Sequence, residues 1–102
     1  MGLLRLYRDK EIIRKSDIFY KNYYLTMYPE VKELGIDPLW HFVKSGWKEG
    51  KNPSEKFDLK YYFETYEDVR ASGLNPLVHY IKFGWRKERN CVQRDYFLPP
   101  YR

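Results

Sequence analysis

Apolar residues recur along this chain at helical spacing, and most of the pattern is written twice. Residues 3–15 place Leu3, Leu6 or Tyr7, and Ile13 at helical intervals, with Arg5, Arg8, Lys10, Glu11 and Arg14 between them. That spacing predicts an amphipathic helix. Its apolar face either docks on the rest of the chain or closes a connection from a preceding domain. From Phe19 to Asn52 the chain reads FYKNYYLTMYPEVKELGIDPLWHFVKSGWKEGKN, and from Phe57 to Asn90 it reads FDLKYYFETYEDVRASGLNPLVHYIKFGWRKERN. The two stretches align without a gap at an offset of 38 residues, with 13 of 34 positions identical. A repeat of this period marks stacked supersecondary units.

Each position within a copy has a local mechanical reading. In the second copy Asp58 is a good N-cap, and Phe57 and Tyr62 are spaced as a hydrophobic staple around it. An apolar run through Tyr61, Tyr62, Phe63, Tyr66 and Val69 comes next. It stops near Ser72, because Gly73 adopts the left-handed C′ conformation at little cost. Leu74 then stands at C″, Asn75 caps the next helix, and Pro76 takes its first position, where a missing N–H is harmless. His79 falls on the first turn, Leu77, Tyr80 and Ile81 form the buried stripe, and Gly84 ends the helix with Trp85 at C″. The first copy builds the same corner from Gly35, Ile36, Asp37, Pro38 and His41. It differs in having Tyr20 for the capping Asp, so its first helix has Ser16 and Asp17 as candidate caps. It also has Pro29 where the second copy has Glu67, and proline belongs in the first turn of a separate helix.

The predicted architecture is therefore all-α. Two tandem repeats of three short helices each, at 18–27, 29–34 and 38–45 and again at 58–65, 67–72 and 76–83, come after an N-terminal helix. Lacking the proline, the second copy has the option of running its first two helices together. The segments are 1–16 (N-terminal helix or connector), 17–56 (first repeat), 57–90 (second repeat) and 91–102 (tail). Lys48 to Lys56 reads as a polar link, and Pro99-Pro100 stops any helix in the tail, which is expected to be extended or frayed.

Composition sharpens this picture in two places. Aromatic residues make up 20% of the 102-residue chain, with eleven Tyr, six Phe and three Trp, so rings must do much of the packing. The tyrosine hydroxyls are expected at the rim of the core. The net charge of +5 is uneven. Residues 79–102 hold six Lys/Arg against two Asp/Glu, while residues 19–78 hold eight against nine. Cys91 is the one cysteine, which excludes an intrachain disulfide and a thiolate-rich zinc site and weakly favours a reducing compartment. No run of about 18 apolar residues is present to cross a membrane, and the charged start lacks a signal-peptide apolar region. Gly2 suggests myristoylation, but Leu6 stands where that motif takes Ser or Thr.

Candidate chemistry is sparse. His41 and His79 are the two histidines, in equivalent places; a zinc site needs a third or fourth ligand that the pattern does not supply. A bond from each to a backbone carbonyl or a Tyr hydroxyl across the repeat interface accounts for them. Glu30 and Asp68 sit early in a helix, where negative charge complements the dipole. No phosphate loop, HExxH or nucleophile motif occurs, so no catalytic residue, cofactor or metal is expected. The open feature is the basic end, where Lys82, Trp85, Arg86, Lys87, Arg89, Arg94 and Tyr96 combine cations with rings. This set suits a protein contact or a solvated face first, then an anionic membrane surface, a glycan, or single-stranded nucleic acid, though no nucleic-acid fingerprint accompanies it.

The duplicated pattern, FDLKYYFETYEDVRASGLNPLVHYIKFGWRKER and FYKNYYLTMYPEVKELGIDPLWHFVKSGWKEGKNP, resembles a helical repeat found in tandem in bacterial glycosyltransferases and proteins of cell-surface polysaccharide synthesis. The resemblance covers about residues 17–90. It implies a non-catalytic accessory or interaction module in the cytoplasm or at the inner face of the membrane. The implied partner is a glycosyltransferase domain or another protein of that assembly. A basic, aromatic-rich domain for anionic membrane or nucleic acid is the alternative. Lys87-Glu88-Arg89 departs from the repeat's Glu-Gly-Arg, which suggests a terminal copy.

Overall fold

The computed structural model describes residues 2–92. The tail expectation, from residue 93 onward, lies outside the described residues, as do Arg94 and Tyr96. The fold is all-α. Helix α1 (Gly2–Ser16) precedes α2 (Lys21–Met27), α3 (Pro29–Leu34), α4 (Pro38–Lys44) and a 3-10 turn, Gly46–Glu49. Then come α5 (Leu59–Thr65), α6 (Glu67–Ser72), α7 (Pro76–His79), a π turn at Tyr80–Gly84 and a 3-10 turn at Trp85–Lys87. Among the described residues no strand forms; Ser54 and Phe57 make only an isolated bridge.

The corners obey local rules. Gly35 (φ 70°) and Gly73 (φ 72°) are left-handed and end α3 and α6. Asp37 Oδ2 accepts from the Trp40 amide at 3.1 Å, and Asn75 Oδ1 accepts from the Leu77 amide at 2.9 Å. Pro38 and Pro76 take the first helical turn. Asp58 Oδ1 accepts from the Tyr61 amide at 3.0 Å, and the Phe57 and Tyr62 rings meet at 5.2 Å as the staple.

Three expectations are corrected, and one option is closed. Ser16 and Asp17 finish α1 and do not start α2. The Ser16 hydroxyl donates to the Ile13 carbonyl at 2.6 Å and accepts from the Ile18 amide, and Asp17 is left-handed at φ 62°. The next helix thus begins at Lys21, because extended Tyr20 donates its backbone N–H to Pro53 O at 3.0 Å. The second copy keeps the separate helices expected at 58–65 and 67–72 and does not take the merged option: Tyr66 (φ −114°, ψ 113°) breaks them without a proline, held by its hydroxyl accepting from the Asn90 amide at 3.0 Å. Gly84 does not end a helix. It is right-handed (φ −74°, ψ −37°), the chain winds on through it, and the left-handed residue is Glu88 at φ 54°. Finally, Tyr24 and Tyr62 are fully buried rather than rim residues.

Helix α1 docks on both copies, against α4 and α7. Ile13 is its fully buried anchor, a burial that stabilises by about 1.5–3 kcal/mol. The core joins it to Tyr24, Val31, Phe42, Val43, Phe57, Tyr62, Val69, Leu77 and Val78.

Candidate functional site

The same constellation is built in each copy. The Tyr24 hydroxyl lies 2.9 Å from Nδ1 of His41, and the Tyr62 hydroxyl lies 3.2 Å from Nδ1 of His79. Tyr is on the first helix of the copy and His on the third, so the bond runs within a copy, not across the interface between copies. Burial pushes the Tyr24 phenol far up from its ordinary value, with Tyr28, Glu49 and Glu30 adding to it. Burial also raises Tyr62, opposed by Arg89. Each phenol therefore keeps its proton and has it to donate to Nδ1. Burial holds His79 below the usual histidine range although Asp68, 3.8 Å from Nε2, pulls the other way. A neutral ring accepts the Tyr62 proton at Nδ1 and carries its own proton on Nε2, the side that faces Asp68.

Two glycines fit these tyrosines. A Cβ on Gly46 would strike the Tyr24 hydroxyl, and one on Gly84 would strike the Tyr62 hydroxyl. Their identity in the Gly-Trp pairs of both copies is the signal in the sequence, and its reason is packing, not turn geometry.

The acids of the early second helices find cations at the far end of the copy. Lys51 pairs with Glu49 at 2.8 Å and Glu30 at 3.4 Å, with its ammonium 5.1 Å from the Tyr28 ring centroid. Arg89 grips both oxygens of Asp68 at 2.9 Å and lies 4.4 Å over Tyr66. That pairing depresses the Asp68 carboxyl. The Tyr28 hydroxyl accepts from the Asn52 amide at 2.9 Å, as Tyr66 does from Asn90. Lys51 and Arg89 were not legible as partners of Glu30 and Asp68, because 21 residues separate each pair.

The histidines are spent on tyrosines, and among the described residues no group of His, Cys, Asp and Glu is placed to hold a metal ion. Cys91 is half-buried, its thiol donating to Lys56 O at 3.2 Å, and burial pushes that thiol up, away from thiolate reactivity.

Of the basic end, Lys82, Trp85, Arg86 and Lys87 are exposed, and Arg86 lies 5.5 Å from the Trp85 ring centroid. Arg89 is turned back onto Asp68. The structure thus keeps four of the five described members of that set on the surface. Trp85 is 53% exposed beside Phe83 at 49%, while its equivalent Trp47 is half-buried.

Two grooves flank Trp47. One, of ≈ 440 Å³, runs between the 3-10 turn of the first copy and α5, with Leu59, Lys60, Phe63, Glu64 and Pro76 opposite Trp47. The other, of ≈ 340 Å³, lies beneath α1 with Leu6, Asp9, Val43 and Asn75 in its walls. Asp9 is buried on α1, and that burial raises its carboxyl, with Arg5, Lys82 and Arg8 opposing. A carboxylate on the inner face of α1 had no counterpart in the repeats to reveal it.

No family model, curated protein or solved structure matches the chain. No described helix is long and apolar enough to cross a membrane.

Proposed function

We propose that this chain is a non-catalytic docking module of bacterial cell-surface polysaccharide synthesis, which positions a glycosyltransferase domain by protein contact. The observation that carries the docking half is the contrast between equivalent tryptophans. Trp47 lines a groove together with Leu59 and Phe63 of the next copy, whereas Trp85 is 53% exposed and Phe83 49%. A half-covered ring at one junction and a bare one at the equivalent position is what an interface for a further helical unit looks like. The polysaccharide half rests on the resemblance of the duplicated pattern. The reading places the module in the cytoplasm, at the inner face of the membrane where lipid-linked acceptors are handled.

The test is a binding measurement between this chain and the glycosyltransferase domain encoded beside it or joined to it. Saturable binding that Trp85→Glu weakens supports the reading. Absence of binding to that domain, together with salt-sensitive binding to single-stranded nucleic acid or to anionic vesicles, replaces it with the basic-domain alternative.

A further inference from the structure

The two grooves share Trp47 and Lys48 and so adjoin at a single indole, as two arms of a Trp47 cleft. Its floor at the α1 end holds an anomaly. Asn75 is 2% exposed, its Oδ1 is used on the Leu77 amide, and its Nδ2 is a buried donor with no acceptor. Buried donors in folded proteins are nearly always satisfied, because a donor taken out of water without a partner destabilises the fold. The equivalent Asp37 in the first copy caps its helix as well, and its carboxylate has no such donor. Asp9, 8% exposed, lines the same end and supplies acceptors. Arg5 crosses the corner on an exposed side chain, donating to the Gly73 carbonyl from 3.3 Å. At the other end Phe63 offers a second ring, 38% exposed, with Lys60 and Glu64 at its rim.

A donor and an acceptor lining the same groove as the Trp47 indole, with the Phe63 ring lining the adjoining one, form a recognition surface. Neighbouring hydroxyls of a pyranose present one acceptor and one donor to such a pair, and its C–H faces pack on aromatic rings. Predominantly apolar walls with a few convergent polar groups are the usual make-up of a ligand site. We infer that the cleft around Trp47 binds an oligosaccharide, with Asn75 and Asp9 reading adjacent hydroxyls of one sugar and Trp47 and Phe63 carrying the next sugars along. Arg5 lines the same groove and moves aside as the first sugar enters, so that the ligand reaches the buried Nδ2. This ligand deepens the polysaccharide reading and rests on it only for the choice of glycans to try.

The test is an amide and indole NMR titration of the whole chain with maltotetraose, chitotetraose and tetragalacturonate, which present vicinal hydroxyls on neutral, N-acetylated and acidic backbones. The expected result is a saturable shift of the Asn75 side-chain amide and the Trp47 indole N–H with at least one of them below ~20 mM. Asn75→Asp, which retains the cap as Asp37 does, and Phe63→Ala, on an exposed ring, should each weaken it about tenfold or more. Asp9→Asn is the companion variant should Asn75→Asp not fold. A water signal at the Asn75 amide with no response to any glycan overturns the inference, and so do shifts that persist unweakened in the variants. The glycans are titrated without any protein partner, so this outcome is independent of the docking measurement.

Discussion

The hydroxyl of Tyr24 lies against Nδ1 of His41 at 2.9 Å, and it occupies the space where a side chain on Gly46 would begin. One phenol oxygen thus fixes the identity of two other positions. Alanine at 46 should destabilise by about 1–3 kcal/mol through overpacking. The remaining neighbours of that Cβ stand at 3.3 and 3.4 Å, close to ordinary contact. Tyr24→Phe should therefore absorb most of the added methyl. Urea unfolding of the two single variants and the double variant should give a coupling of about 1 kcal/mol or more. Strict additivity would mean that the hydroxyl is not what Gly46 makes room for. Gly84 and Tyr62 make a less clean pair, because Tyr80 Cδ1 also stands at 3.1 Å.

Tyr62→Phe should cost about 1–3 kcal/mol, since it leaves the buried Nδ1 of His79 without its hydrogen-bond partner while conserving the ring. Chemical unfolding reads this directly. A change below a few tenths of a kcal/mol would show that the Tyr–His pair is a contact of position only.

The second histidine gives the fold a pH dependence of defined sign. Burial holds His79 below the ordinary value of 6.5. The unfolded chain therefore takes up a proton that the folded one refuses, and stability falls as pH drops from just above 6.5 towards the lower folded value. Asp68 acts in the same direction at more acidic pH, because Arg89 depresses its carboxyl and that stability is lost as pH falls through the folded value. Asp9, raised by burial, works in the opposite sense in the acidic range above the ordinary aspartate value. Urea midpoints of wild type and His79→Gln between pH 7.5 and 5.5, about one unit either side of an ordinary histidine, should converge as pH falls. Parallel curves would place the titration elsewhere.

Glu88 occupies a left-handed conformation (φ 54°) where the first copy has Gly50 (φ 82°). A side chain there costs roughly 1–2 kcal/mol, partly offset by the greater entropy glycine loses on folding. Glu88→Gly should stabilise by about 0.5–1 kcal/mol, visible as a raised thermal midpoint. A lowered midpoint would assign the Glu88 carboxylate a compensating contact.

What could be read from the sequence was what is decided within four or five residues. Gly73 as a left-handed stop, Asn75 as a cap, Pro76 at the first turn and the Phe57–Tyr62 staple all depend on nearest neighbours along a helix. The break between 58–65 and 67–72 followed from the pattern of the first copy, but what holds Tyr66 there did not show, because its partner is the Asn90 amide 24 residues away. Gly84 was misread as a helix stop, since a glycine that admits a phenol from another helix has the same letter as one that turns the chain. Asp9 was invisible for a related reason. It lies on α1, which has no second copy against which to compare it, and its burial is set by α4 and α7 together. Of the two partners expected for the histidines, a backbone carbonyl or a tyrosine hydroxyl across the repeat interface, each meets a tyrosine hydroxyl, and it lies in the same copy.

The chain after each copy's last turn comes home to that copy's start. Tyr20 donates to Pro53 O at 3.0 Å and Asp58 donates to Cys91 O at 2.7 Å, the same 33-residue span in both cases. Each copy is thus a loop that fastens its own ends, much as a link of chain is closed before the next is threaded. Gene duplication can lengthen such a protein, or deletion shorten it, without stranding those backbone bonds, since donor and acceptor travel together. Evolution is then free to vary the number of links while the exposed faces between them diverge, and the length of the array becomes as heritable a trait as any side chain within it.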